Sequence, residues 1–141
     1  KLEDITEMDP AWAWAAGAMV STPSELNTFF QAVLDGRLLT QASIDEMKNG
    51  AVDASSYLGP GTVYGLGLIG TPLSCGGTSW GHGGTIHGYQ TDNAVGPDGT
   101  AVTVAVTALP SAIADQNNLE SSAKEKHQRN KDAVDATLCH K

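Results

Sequence analysis

Two histidines and two hydroxyl-bearing residues crowd into ten positions of this chain, Trp80-Gly81-His82-Gly83-Gly84-Thr85-Ile86-His87-Gly88-Tyr89, with four glycines among them. Glycine at this density removes side chains and lets a ligand or a neighbouring strand approach the backbone. A core strand has little use for that, so the stretch reads first as a site. Imidazole exchanges protons near neutral pH, and His82, flanked by Gly81, Gly83 and Gly84, is expected to point into a cleft as a proton shuttle. A metal shared by His82 and His87 fits poorly. The two are odd-spaced on one expected strand and would face opposite sides. No cluster of Asp, Glu or Cys stands beside them before Asp92, so neither a metal nor a cofactor is expected.

The elements that must position this stretch can be read from the rest of the chain. Thr22-Pro23-Ser24-Glu25 is a capping box with proline at the first helical position. Leu26, Phe29, Phe30, Val33 and Leu34 follow at helical spacing, and Gly36 ends the run. A shorter helix is expected from Thr40 or Gln41 to Asn49, burying Ile44 and Met47 and stopping at Gly50. Ser55 to Gly61 reads as loop, Val63 to Ile69 as a strand thinned by glycine, and Thr71 to Gly77 as a turn region. A strand over Thr78 to Thr85 carries His82. The clearest β signal is a hairpin, with arms Gly88–Val95 and Thr100–Ala108 around Gly96-Pro97-Asp98-Gly99. Val102, Val104 and Val106 share one face, while Ala101, Thr103, Ala105 and Thr107 suit close packing under a helix. A last helix is expected from Gln116 to Leu138, with Leu119, Ala123, Val134 and Leu138 buried. The order is helices, then three or four antiparallel strands, then a C-terminal helix, an α+β arrangement.

Near the start, Trp12 and Trp14 lie among alanines, a pattern that fits core packing and equally a ring on a pocket wall. Gly65-Leu66-Gly67-Leu68-Ile69-Gly70 matches a dinucleotide fingerprint only as a string, without the strand-to-helix context. A serine hydrolase of chymotrypsin or α/β-hydrolase type is not expected.

Composition limits the function classes. The chain has 141 residues, 40% hydrophobic and 17% charged, which fits one globular unit with its own core. A formal net charge of −8 argues against nucleic acid or an anionic membrane as the main partner. No apolar run reaches the length of a membrane span. Lys1-Leu2-Glu3-Asp4 suits a mature, processed or truncated N-terminus. Cys75 and Cys139 are too far apart for a zinc ribbon or redox motif, leaving a long-loop disulfide or two unrelated buried thiols. A disulfide would contribute roughly 3–5 kcal/mol in the chain-entropy model and implies a secreted, oxidising setting.

Several segments become specific in combination. Trp12-Ala13-Trp14-Ala15-Ala16-Gly17-Ala18-Met19-Val20-Ser21, Leu26-Asn27-Thr28-Phe29-Phe30, Tyr64-Gly65-Leu66-Gly67-Leu68, Leu73-Ser74-Cys75-Gly76, Gly81-His82-Gly83-Gly84-Thr85 and Gly88-Tyr89 occur in this order. From Trp12 to Cys139 the chain resembles the C-terminal part of the penicillin-recognising serine hydrolases. It is most similar to secreted actinomycete D-alanyl-D-alanine carboxypeptidases, whose relatives include class C β-lactamases, D-amino-acid amidases and aminopeptidases, and esterases. The resemblance implies the β-lactamase/transpeptidase-like fold, with residues 1–141 as one partial domain. It matches the family's third active-site box to His82-Gly83-Gly84. By resemblance His82 is the cation or proton relay, Gly83 and Gly84 belong to the substrate-binding wall, and Gly84 lets substrate lie against the strand. The Thr85 N–H is an oxyanion donor and its hydroxyl a substrate contact. Gly83 stands in the box where a hydroxyl is usual. Trp12 matches an aromatic lining the pocket, and the cysteine pair matches a disulfide. The implied ligand is a small D-amino-acid peptide, amide or β-lactam.

Two departures shape the expectation. The family's Ser-x-x-Lys and Tyr-x-Asn boxes belong upstream of the His82 box. Here Lys124 alone follows a serine by three, in Ser121-Ser122-Ala123-Lys124 of the expected last helix, on the wrong side of that box. The chain is therefore expected to be a fragment or one piece of a processed enzyme, inactive alone and completed by an N-terminal segment that carries the serine. Second, no Arg or Lys occurs between Lys48 and Lys124, and the place of a carboxylate-binding cation falls around Ile69. That moves the expected reaction from carboxypeptidase toward amidase, aminopeptidase, endopeptidase or esterase. The rivals are a non-catalytic penicillin-binding-like module and a β-lactamase or esterase of the same fold.

Overall fold

A computed structural model describes residue 4 and residues 6–109 and 116–139, with side chains undescribed at a few of these, including Trp12 and residues 119–124. The first helix, α1 (Pro23–Leu34), begins as its sequence dictates. Thr22 Oγ1 accepts from the Glu25 N–H, and the Thr22 N–H donates to Glu25 Oε2 at 2.9 Å. Gly36, at φ 84°, supplies the left-handed residue that turns the chain out of the helix. Ala32 and Val33 are buried, but Phe29 is exposed, so the buried stripe is narrower than the apolar periodicity suggests. Helix α2 (Gln41–Asn49), capped by the Thr40 hydroxyl, buries Ile44 completely and Met47 in part.

Among the described residues seven strand segments follow: β1 (Val52–Asp53), β2 (Val63–Tyr64), β3 (Ile69–Pro72), β4 (Thr78–Gly81), β5 (Gly83–Ile86), β6 (Tyr89–Val95) and β7 (Ala101–Val106). A single helical turn, α3 (Ser55–Leu58), sits between β1 and β2 where loop was expected, with Asp53 accepting from the Ser55 N–H and hydroxyl. All pairings are antiparallel, and they build one sheet rather than three or four strands. The expected strand from Val63 to Ile69 is a hairpin: the Gly65 N–H donates to Leu68 O at 2.7 Å, and β2 folds back on β3. Gly65 can be nothing larger, because a Cβ there would run into the Met47 carbonyl of α2. The next turn is tighter than expected and begins at Leu73, whose N–H donates to Gly77 O at 3.1 Å.

Helix α4 (Leu119–Cys139), entered through a 3-10 turn at Gln116–Asn118, covers one face of the sheet. Val134 and Leu138 pack on Leu73, Ala94, Val102 and Val104. The expected burial of Leu119 and Ala123, and the Ser121–Lys124 string, fall on undescribed side chains. Helix α1 covers the opposite face of β6 and β7, where Thr103 Oγ1 donates to Asn27 Oδ1 at 2.7 Å and Asn93 Nδ2 to the same oxygen at 3.2 Å. The valine and Ala/Thr faces of β7 are thus divided between two helices, as the alternation predicts. The disulfide forms between Cys75 and Cys139, with Cα atoms 5.5 Å apart. Beside it the Ser74 N–H and hydroxyl both donate to the Asp135 carboxylate, so the turn after β3 is fastened twice to α4. Trp14 is not core: the residue is 85% exposed, and Met19 and Val20 nearby on the same surface segment are exposed as well.

Candidate active site

The strand carrying the glycine-rich stretch breaks at one residue, His82. On either side β4 and β5 keep a single register with β6, Trp80 opposite Val95 and Gly83 opposite Asp92, and the His82 carbonyl accepts from the Asn93 N–H at 3.3 Å. The two halves differ in what flanks them. β4 is covered on its other edge by β3, whose register ends at Ile69 opposite Gly81. Among the described residues β5 pairs with β6 alone. Gly83, Gly84, Thr85 and Ile86 therefore form an open strand edge that begins where β3 stops.

His82 stands at that step, half-buried, in a cleft of about 290 Å³ between the sheet and α4. Its Nε2 lies 2.6 Å from Tyr64 Oη and its Nδ1 2.6 Å from the Gly83 carbonyl oxygen. The Tyr64 and His82 rings meet edge-on, with centroids 5.7 Å apart at 89°. Gly84 and Thr85 line the same cleft and are exposed. The two box glycines are not equivalent. A Cβ on Gly83 would lie 2.9 Å from the Thr91 carbonyl oxygen and 3.3 Å from Asp92 Oδ1, so the neighbouring strand itself demands glycine there. Among the described residues a Cβ on Gly84 would meet only the Thr91 hydroxyl, at 3.2 Å. The packing of the described residues does not require Gly84 to be bare.

His87 occupies the turn joining β5 to β6, with Gly88 at φ 80°, and is exposed outside the cleft. Trp12 belongs to a 3-10 turn at Pro10–Ala13, and its place in a pocket concerns a side chain outside the described residues. Ile69 lines the cleft beside Tyr64. The expectation of no cation in this neighbourhood needs correcting: Lys131 reaches the cleft from α4, where its ammonium donates to the Leu58 carbonyl. Burial holds the Lys131 pKa below the ordinary lysine value, and the Asp92 carboxylate opposes that shift. Asp92 itself accepts from Asn130 Nδ2 at 3.2 Å.

Sequence reasoning missed Tyr64, Asp92 and Lys131, because each reaches the cleft from a different element. It also passed over Gly77-Thr78-Ser79-Trp80-Gly81, which fits Gly-x-Ser-x-Gly as a string. Ser79 is only 1% exposed in mid-strand, and its hydroxyl donates to the Thr71 carbonyl at 3.2 Å. A nucleophile elbow needs a strand-to-helix turn that exposes the hydroxyl, so Ser79 is a structural serine.

The beta-lactamase family model matches residues 2–124. The chain belongs to the beta-lactamase family. Among solved structures it is similar to a D-stereospecific amidohydrolase from Streptomyces sp., at 41% identity over 60% of this chain and 25% of that one, with a TM-score of 0.54. It is also similar to the D-amino acid amidase from Ochrobactrum anthropi SV3. The complex of that amidase with D-phenylalanine matches at 24% identity over 89% of this chain and 40% of that one, TM-score 0.62, a likeness of fold. Its complex with L-phenylalanine amide matches at 30% identity over 61% and 25%, TM-score 0.51. The mixed helix and antiparallel-sheet architecture of this beta-lactamase-family chain is the β-lactamase/transpeptidase-like fold that these structures share. The chain spans between 25% and 40% of the length of the structures it matches.

Proposed function

We propose that this chain builds one wall of the active site of a serine hydrolase that cleaves amides of D-amino acids, with the nucleophilic serine supplied by a segment outside this sequence. One observation carries the reading: the open edge of β5 offers an unobstructed Gly84 beside the paired His82 and Tyr64. The substrate lies along that edge. The serine Oγ attacks the amide carbonyl, and the oxyanion is held by backbone donors that include the Thr85 N–H. The C–N bond breaks, the amine leaves with a proton delivered through the relay to which His82 belongs, and water then hydrolyses the serine ester. Gly84 supplies clearance, and Gly83 keeps β5 close to β6. The substrate class follows the Streptomyces and Ochrobactrum relatives. It also follows Ile69, an apolar side chain where a carboxypeptidase needs a cation, since the Lys131 ammonium is committed to Leu58. A disulfide across 64 residues suits a secreted protein.

The test compares hydrolysis of D-phenylalanine amide, its L isomer and an acyl-D-Ala-D-Ala peptide by the full-length protein. The expected order puts the D-amide first and the free-carboxylate peptide well behind. A kcat/KM favouring the carboxylate peptide would overturn the substrate assignment, and no turnover of any of them would overturn the enzyme reading.

A further inference from the structure

We propose that Tyr64 is the positioning residue of this wall, locking the ring orientation of His82 and, together with the Gly83 carbonyl, its tautomer; the catalytic half of this inference rests on the role proposed above for His82. The Gly83 carbonyl can only accept, so His82 Nδ1, 2.6 Å away, must carry the hydrogen. A neutral imidazole has one N–H, which leaves Nε2 with its lone pair, and the group 2.6 Å from it is the Tyr64 hydroxyl, which donates. Both ring nitrogens are thereby engaged, and rotation or flipping of the imidazole would break both bonds. Tyr64 is itself firmly placed. It lies in β2 with Val52 of β1 opposite it on one side and Ile69 of β3 on the other.

The arrangement also survives a change of charge. When Nε2 takes up one proton from solvent, both ring nitrogens become donors and no other bond forms or breaks. The Tyr64 oxygen would then accept where it had donated, so the 2.6 Å contact holds the ring in either form. Among the described residues the other titratable groups lining the cleft are Asp92 of β6 and Lys131 and Asp135 of α4.

The full-length protein labelled with ¹⁵N-histidine tests this without relying on turnover. Long-range ¹⁵N–¹H correlations of neutral His82 should show the Nδ1–H form in the wild type and a mixture of tautomers in Tyr64→Phe. On D-phenylalanine amide the same variant should lose kcat by about a hundredfold, the low end of what positioned proton transfer contributes, with KM nearly unchanged and an altered pH profile. Neutral wild-type His82 in the Nε2–H form, or an unchanged tautomer in Tyr64→Phe, overturns the inference. Absence of amide turnover in the wild type would sink the proposed function instead, while the nitrogen spectrum would still decide the tautomer.

Discussion

Replacing three neighbouring glycines by alanine separates clearance for a ligand from clearance for the fold. At Gly81 a Cβ would run into the Asn93 carbonyl, and at Gly83 it would press on the Thr91 carbonyl 2.9 Å away. Backbone cannot step aside as a side chain can, so both variants are overpacked. Gly83→Ala should lose about 1–3 kcal/mol and Gly81→Ala more. At Gly84 the one neighbour among the described residues is the Thr91 hydroxyl at 3.2 Å, and no left-handed φ is needed. Alanine there restrains the unfolded chain slightly, so stability should stay within about 1 kcal/mol and Tm within about 4 °C. The same methyl would stand in the substrate's path. A misfit of about 1–3 kcal/mol felt only by bound substrate lowers kcat/KM by roughly ten- to a hundredfold. The assay is thermal unfolding beside D-phenylalanine amide hydrolysis in the full-length protein. Gly84→Ala with wild-type kcat/KM, or with the stability loss of Gly81→Ala, would refute the reasoning.

Reduction of the disulfide, or Cys75→Ala with Cys139→Ala, should destabilise the fold by about 4 kcal/mol for a loop of this size, read as a fall in Tm that a reductant reproduces in the wild type. The Thr22 N–H, then the Thr22 and Ser21 hydroxyls, hold the Glu25 pKa below its ordinary value. The folded chain therefore binds that proton less tightly than the unfolded one. The stability it contributes is full above the unfolded pKa and is lost as pH falls through the folded one. Tm of Glu25→Gln should accordingly depend less on pH in the acid range than wild-type Tm, and parallel curves would contradict this. Ile69→Arg should raise kcat/KM for an acyl-D-Ala-D-Ala peptide relative to D-phenylalanine amide, because a charge-assisted pair is worth roughly 1.5–3 kcal/mol; an unchanged ratio would place the substrate's end elsewhere.

What the sequence made legible was local. The capping box of α1, the start of α2 at Gln41 and the turn at Gly96–Gly99 each rest on a few adjacent residues, and each stands where expected. The glycine box was legible as a site because side chains were missing from it. What stayed hidden depends on contacts between distant segments. Val63 to Ile69 reads as one apolar run, and its division into a hairpin shows only once Met47 of α2 receives the Leu66 N–H at 3.0 Å. The break at His82 is set by where β3 ends, and nothing in residues 78–86 announces it. Lys131 enters the cleft because the disulfide and the Ser74–Asp135 bonds hold α4 across the sheet, 49 positions beyond His82 in the chain. The small neighbours of Trp14 fit core packing and a pocket wall alike, and it stands exposed because Ala and Gly there do not bring a packing surface with them.

The most direct test of the central claim is labelling by a fluorescent penicillin, followed by peptide mapping of the adduct. Full-length protein is predicted to carry one acyl group on a serine outside these 141 residues, and the isolated chain to carry none. An adduct on a serine within this sequence, or D-amide turnover by a full-length protein that never acylates, would contradict the account.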